Sequence, residues 1–572
     1  MRRIVVWVTT VALAFLAVYP APIHAQRVLG VGDDALVLPA GVFRFRTVGQ
    51  WTWFNERYGK DTPGRPNGAL EPLGIDFTLD TIGVRQFPNL AALEVGIRSL
   101  TLDPSWNATL GNTVVNLRDH VAAFPFIFEA GLTKRFSVGL QIPYVHTQTS
   151  AYFNVNTAGI QGNLGFNPSL AVAGAFNQDT AMYRQFIQAA ATLEASLAAC
   201  QANPGASPSC PALLQQQAAA ANLIAKSRAF AGGAVGPVGG PFNQLGGIYI
   251  TSPFVPIVGT DAQMRVEALV AGFRALYTQF LGAGNPITTN GPFAAQTRLS
   301  LRDAQTILTD PRFGIAALPL QPNSKSHLGD IDIGGKFSLF DTFDGNTSAR
   351  MSPTGFNIRT AIGGVFRLPT GQIESPDDFI DIGTGRKAKA IEGRFFTDIL
   401  LGSRFWESFI LRYNKPFADE QDMRIIDLPN EELAPLYRRQ RVHRQLGSEF
   451  QFETAPRIVV NNFFAVSAWY MYRHKQEDDY SGTFTIPAAT TGFADITINA
   501  ATLDFETEQT EHRFGGGLSY SNLYAFEQGK AKIPFEVNWL HWQTMGGSGG
   551  NQPKFFTDQI QLRLYARIFG GK

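Results

Sequence analysis

Gly546-Gly547-Ser548-Gly549-Gly550 matches the G-x-S-x-G pattern of a serine nucleophile elbow, whose chemistry would be acyl transfer. That chemistry needs a strand before the serine and a helix after it. Here the small residues run on into Asn551-Gln552-Pro553, which reads as a hairpin loop, so no catalytic serine is assigned. The eight histidines include no HExxH or paired spacing, which leaves a zinc-protease site unsupported. Asp377-Asp378 and Asp478-Asp479 fall in loop-like stretches, where adjacent carboxylates read as solvated charge more readily than as cation ligands. No phosphate-cradling, dinucleotide or haem motif occurs. A serine, a histidine and an amide or carboxylate could still converge across strands, but the sequence selects no such set. The reading is of a protein with no catalytic residue, no metal site and no cofactor.

The charged residues follow a different rule. Arg44, Arg46, Glu129, Arg135, Asp330, Asp332, Lys336, Arg359, Arg367, Glu392, Arg394, Asp398, Glu449, Glu453, Glu536 and Arg563 each take the polar parity of a segment whose other parity is apolar. Arg404, Arg412, Arg441, Arg513 and Arg567 share it. Mixed signs on one face suit a lattice of cross-strand ion pairs or, alternatively, an electrostatic filter for a polar solute.

Alternation of this kind places the charges on strands. In Val42–Trp53 the residues Phe43, Phe45, Trp51 and Trp53 lie on one face, and Arg44, Arg46 and Gln50 on the other. Segments 42–55, 119–132, 135–148, 327–340, 355–369, 390–405, 408–416, 440–454, 457–474, 507–522, 531–544 and 556–569 repeat the pattern. Most exceed the roughly 5–6 residues of ordinary strands and suit tilted strands crossing a bilayer. The connections alternate short (132–134, 341–354, 406–407, 455–456, 523–530) and long (56–118, 149–326, 370–389, 417–439, 475–506, 545–555). Short periplasmic turns and long outer loops do the same in bacterial outer-membrane barrels. The fold class expected is an all-β transmembrane barrel of about twelve antiparallel strands, a count open by two. Trp51, Trp53, Tyr144, Trp406, Tyr470, Tyr472, Trp539 and Trp542 are its expected aromatic girdle. Phe569 falls on the polar parity and is followed by Gly570-Gly571-Lys572, a departure from the terminal aromatic common to such barrels. Twelve strands lie between filled eight-stranded barrels and open sixteen-stranded pores, so a narrow or occluded lumen is expected.

Domain boundaries follow. Residues 1–25, with Arg2, Arg3, an apolar run and Ile23-His24-Ala25, read as a signal peptide. Residues 26–148 carry strands one to three, 149–326 a helical insertion, and 327–572 strands four to twelve. In the insertion, Met182, Phe186, Ala190, Leu193 and Leu197 share one helix face, and Leu213, Leu214, Ala218, Ala221 and Ile224 another. Cys200 and Cys210, the chain's only cysteines, flank the linker between these helices and are expected to bridge it. A third helix starts at Thr260 with Gln263 in a capping pattern and ends at Gly282, its apolar face being Met264, Leu269, Phe273, Leu276 and Phe280. A fourth spans 301–308. The insertion is expected to cap or plug the barrel mouth, with Phe153, Phe166, Phe176, Phe230, Phe242, Phe254 and Phe293 attracting apolar ligands or forming its own core.

Composition agrees with these elements. Of 572 residues, 45% are hydrophobic and only 17% charged, with 48 basic and 47 acidic side chains. That near-neutral balance excludes a nucleic-acid partner. A mean hydropathy of −0.04 is what an apolar outer face and a polar inner face average to.

Ala130–Val145 (AGLTKRFSVGLQIPYV), Leu328–Lys336 (LGDIDIGGK), Gly363–Gly371 (GGVFRLPTG) and Ile382–Gly385 (IGTG) resemble strand-end and turn motifs of the MetA-pathway-of-phenol-degradation family of outer-membrane transporters. The resemblance covers about half the chain, is thought to extend in role to long-chain fatty-acid channels, and offers no binding residues to transfer. It implies passive uptake of small hydrophobic or aromatic compounds across a bacterial outer membrane. The partners expected are outer-membrane lipid and a small apolar or aromatic solute, and a monomer suffices because one chain closes its own barrel. The alternative is a structural or surface-interaction barrel with an occluded, ion-paired lumen.

Overall fold

The computed structural model describes residues 33–59, 67–88, 90–157, 159–171, 174–231, 252–289, 294–343, 353–426, 433–491 and 494–567. The signal-peptide reading and the expectations for Phe242, Phe293 and Phe569 lie outside them.

Twelve strands close a barrel. They are β1 (Val42–Phe54), β2 (Thr113–Gly131), β3 (Phe136–Val155), β4 (Asn323–Leu328 and Ile331–Asp341), β5 (Phe356–Leu368), β6 (Ala390–Leu401), β7 (Phe405–Pro416), β8 (Glu449–Thr454 and Arg457–Val459), β9 (Phe464–Lys475), β10 (Gln509–Ser521), β11 (Phe535–Ser548) and β12 (Phe556–Arg567). Each pairs antiparallel with its neighbours in sequence, and β1 pairs with β12 from Val42↔Arg567 to Trp53↔Phe556. Closure leaves no strand edge unpaired, the condition for a sheet to sit in hydrocarbon.

The alternation has the sense that a membrane requires. On β5 and β6, Ile362, Phe366, Ile391 and Phe395 are exposed on the outer wall, while Arg359, Ala361, Phe396 and Asp398 are buried inside. An apolar belt outside and a polar, packed interior make this an outer-membrane barrel of the bacterial type. By the same rule the short turns face the periplasm and the long connections face outward.

Several boundaries differ from the pattern-based ones. The turn after β6 is at 402–404, with Gly402 at φ +61°, so Trp406 and Glu407 belong to β7 rather than to the turn. Trp406 therefore faces inward, buried against Leu400 and Val459. Trp542 also faces inward, against Trp469 and Leu540. Trp539 and Trp542 are three apart and cannot share one face of a strand. The segment expected at 440–454 splits. Residues Arg439–Gln445 leave the barrel for a small outer sheet with Asp419–Arg424 and Asp479–Ser481, which puts Arg441 in solvent.

The helices α1 (Leu90–Thr101), α2 (Ala175–Ala202), α3 (Cys210–Gln215), α4 (Gln217–Ala231), α5 (Asp261–Leu281) and α6 (Leu301–Thr309) share one apolar core on the outer side. That core also takes in Leu117, Phe153 and Val155, so it rests on the projecting tips of β2 and β3. Cys200 and Cys210 form a disulfide across the α2–α3 linker. Phe153, Phe230 and Phe254 are buried in the core, with Phe166 packed against it, while Phe176 is exposed.

Two helix faces are rotated from expectation. A break at Gln216 divides the second helix, and α4 buries Ala220, Leu223 and Ile224 while Ala218 and Ala221 face out. On α5, Val266, Val270, Phe273 and Tyr277 are inside, and Met264 and Leu276 are half exposed. Its cap is as expected, with the Thr260 side chain accepting from the Gln263 amide. Helix α1 has no counterpart in the sequence reading, yet Leu90, Leu93 and Ile97 are fully buried.

Candidate functional site

The lumen is the first place to look, because strand parity forces every second side chain into it. Arg44 and Arg46 on β1 both reach Glu129 on β2, at 2.7 and 2.9 Å. Arg359 meets Asp398 at 2.7 Å, Arg367 meets Asp332 at 2.8 Å, Arg394 meets Glu392 at 2.5 Å, and Arg412 meets Glu453 at 3.1 Å. Arg563 lies 3.5 Å from Glu536, which also accepts from the Tyr565 hydroxyl at 2.8 Å. Glu449 is held by Arg386 at 2.5 Å and Arg473 at 3.5 Å. Paired charges of both signs cover the wall. Such pairs hold each other's geometry and leave little field for a passing ion.

Besides Arg441, three residues expected in the lumen stand elsewhere, and one of them, Arg404, is exposed in the 402–404 turn before β7. Arg135 is exposed in the turn between β2 and β3, because that turn runs one residue further than its pattern indicates. Asp330 sits at the break in β4 and organises a loop. Its carboxylate accepts from the Gly371 amide at 2.9 Å and the Arg386 amide at 2.8 Å. A Cβ on Gly385 would lie within 3.0 Å of three Asp330 atoms, so only glycine permits that wrap. Gly329-Asp330, Thr370-Gly371 and Thr384-Gly385 thus do one job, tying the 370–386 connection to the break in β4.

The lumen is filled in part by a segment that the strand pattern does not predict. Residues 33–38 run inside the barrel before β1 begins. Asp34, Ala35, Leu36, Val37 and Leu38 are all buried, and Ala35 and Val37 pack on Ala361, Phe396 and Ile410. The Lys336 ammonium donates to Asp33 at 3.1 Å and to the Asp34 carbonyl at 2.7 Å, and it stands 4.0 Å over the Phe396 ring. The Ala35 amide donates to Asp398 at 3.1 Å. Beside this segment remains a cavity of about 90 Å³, bounded by Arg46, Glu129, Asp332, Lys336 and Arg394. The one available signal was the pair Asp33-Asp34 ahead of an apolar run, on a stretch with no strand or helix period.

Above the lumen the chemistry changes. A vestibule of about 560 Å³ opens among Lys325, Glu374, Asp381, Arg439 and Arg441. Within the cap lies a small cavity of about 30 Å³ lined by Phe77, Phe87, Phe153, Leu299, Ala304, Ile307, Leu308 and other apolar side chains, with Thr113 the one polar residue. Arg424 ties the surrounding loops together. Its guanidinium donates to the Ile315 and Ala434 carbonyls at 2.6 and 2.8 Å and to Asp377 at 2.7 Å, and it lies 5.2 Å from the Phe379 ring.

Enzyme-like constellations do not assemble around the residues that prompted them. Ser548 ends β11 and is followed by turn residues, without a helix. Ser326 and His146 are hydrogen-bonded at 2.8 Å on the outer wall, and among the described residues no carboxylate is bonded to that imidazole. No cluster of three metal-ligating side chains occurs among the described residues.

No family model matches the chain, and no curated protein matches it. Similar solved structures include the COG4313 outer membrane channel from Pseudomonas putida F1, at 8% identity and a TM-score of 0.39, covering 94% of this chain and 99% of that one. A CymD monoaromatic hydrocarbon channel matches at 7% identity and a TM-score of 0.26, covering 97% and 99%. A Pseudomonas aeruginosa FadL homologue matches at 6% identity and a TM-score of 0.25, covering 92% and 90%.

Proposed function

We propose that this protein is an outer-membrane channel for passive uptake of small hydrophobic or aromatic compounds, which enter through the cap. The observation that carries this reading is the apolar cavity between Phe77, Phe153, Ala304 and Ile307, set above a lumen whose walls are charged. Apolar surface held away from water on the outer side favours capture of apolar solute. Its present size is too small for a ring. A dry engineered cavity of roughly 150 Å³ takes up benzene, so admission requires the loops around Arg424 to part. Ile307→Ala enlarges the site at a cost of about 2–5 kcal/mol to the cap. Purified protein carrying it is expected to bind a monoaromatic probe more tightly than wild type. Unchanged or weaker binding would argue against the cavity as the entry site.

A second reading, a structural barrel with a sealed interior, is favoured by the buried segment 33–38 and the paired walls. Planar-bilayer conductance separates the two. A variant whose exported chain begins at Pro39 is expected to conduct well above wild type if the segment closes a path. A variant as silent as wild type supports the sealed barrel.

A further inference from the structure

One side of the apolar cavity in the cap is walled by a strap of chain, residues 314–320, between α6 and β4. Ile315 and Leu320 line the cavity, and Leu318 is exposed. Backbone ties hold the strap from its middle onward. The Ala317 amide donates to the Leu308 carbonyl at 2.8 Å and the Leu318 amide to the Asp377 carbonyl at 2.6 Å. The Leu320 amide donates to the Gln305 side chain at 3.0 Å. At the Ile315 end the hold is one side chain, Arg424. It ends the outer-sheet strand Asp419–Arg424, opposite Arg439, and is buried. Nη1 donates to the Ile315 and Ala434 carbonyls, and Nη2 to Asp377 and, at 3.1 Å, to the Ala316 carbonyl. Leu433, next to Ala434, is another wall of the cavity. One guanidinium thus pins the backbone at Ile315 and beside Leu433, two wall residues from separate connections.

Ala316 is the informative residue. Its φ is +48°, in the left-handed region that glycine adopts freely and that a Cβ makes costly. Such an outlier persists only where its surroundings over-determine it. Here they do so from both sides. Arg424 holds the carbonyls of Ile315 and Ala316, and the next amide is fixed to Leu308. The strap is therefore under strain at the residue beside the cavity wall, and the part of the hold that comes from a side chain is Arg424.

We propose that Arg424 is the latch of this cavity, and that strain at Ala316 draws Ile315 out of the wall when the guanidinium lets go, making room for one aromatic ring. The proposal rests on the cavity being the entry site. A guanidinium fork holds carbonyls by direction as well as by charge, which a point charge does not. The strain lowers the cost of the opened state, so loss of a few hydrogen bonds suffices to release the wall. Asp377 keeps the fork in place, being shared with Arg439 of the vestibule at 2.6 Å. Among the described residues the guanidinium's hydrogen-bond partners all lie in connections, none in a cap helix or a barrel strand, so the strap can open while the cap core stays packed.

Hydrogen exchange on the full-length protein in detergent reads the latch without a ligand. Two amides report on it, Leu318 in the strap and Leu436, which donates to the Gly314 carbonyl at 2.9 Å. Arg424→Lys keeps the charge beside Asp377 but not the fork, and is expected to speed both by about tenfold, the loss of one charge-assisted hydrogen bond. Ala316→Gly removes the strain and leaves the latch, and is expected to slow both by about fivefold. Helices α1 and α5 should exchange at wild-type rates in both variants. Unchanged strap exchange in either variant would overturn the proposal, as would acceleration in Ala316→Gly. Acceleration spread equally over α1 and α5 would make Arg424 a brace of the whole cap and likewise overturn it. On the same samples, fluorine NMR follows trifluorotoluene, whose entry rate should rise in Arg424→Lys and fall in Ala316→Gly. A faster strap with an unchanged entry rate would overturn the latch and leave the cavity, tested by Ile307→Ala, in place. Trifluorotoluene bound by neither wild type nor Ile307→Ala would remove the entry site and the latch with it.

Discussion

Asp398 shows what a buried carboxylate costs and supports. It lies inside the barrel with almost no exposure, accepting from Arg359 and from the Ser408 hydroxyl, both at 2.7 Å, and from the Ala35 amide. Asp398→Ala leaves the Arg359 guanidinium buried without its counter-charge and frees the lumen segment at Ala35. The expected cost is about 3–5 kcal/mol, the price of breaking a buried pair from one side. It should appear as a lower unfolding midpoint in a heat-modifiability series. In the cap, Asp179 on α2 is buried, accepts from the Ser169 hydroxyl, and has a second oxygen without a hydrogen-bond partner among the described residues. Burial raises its carboxyl to about 6. A folded value above the unfolded one of about 3.9 means that the cap is stabilised below about pH 4 and loses that advantage as pH rises through about 6. Asp179→Asn is therefore expected to protect α2 from hydrogen exchange at pH 7.5 relative to wild type, by up to about 3 kcal/mol. At pH 4 the two should exchange alike.

The strands were legible in the sequence because their period is two and one of their faces must be apolar. The connections added an independent rhythm of short and long. Legibility ended where two neighbours decide together. Trp406 changed face because a glycine at 402 placed the turn earlier than the alternation of 390–405 suggested. Helices α4 and α5 rotated because each packs against α2, and small side chains such as Ala220 and Ala262 serve a close helix contact as well as leucines would. Helix α1 lies in the long connection 56–118, to which the sequence pattern assigns no helix. The Cys200–Cys210 bridge closes a short loop at the far end of the α2 hairpin. Replacing both cysteines with serine is expected to cost the cap about 2–4 kcal/mol. Proteolysis should then cut the 203–209 linker sooner, with barrel strands unaffected. Early loss of the barrel itself would mean that cap and barrel fold as one unit.

At the scale of the molecule, three regions differ in chemistry: an apolar cap, a polar vestibule, and a lumen lined by ion pairs and occupied by the chain's own residues 33–38. Of the lumen, the wall charges were legible, because parity alone lists them. The segment between them was not, since six residues without period carry no pattern, and only the closed barrel reveals that their charges have partners at Lys336 and Arg394. The apolar cavity was equally hidden, being assembled from connections more than two hundred residues apart. Its role is the central claim. The direct measurement is the initial rate at which intact cells take up a radiolabelled monoaromatic hydrocarbon at matched outer-membrane levels of protein. Wild type is expected to raise that rate above cells lacking the protein, and Ala304→Phe, which fills the cavity, to return it to their level. Identical rates in all three strains would contradict the account.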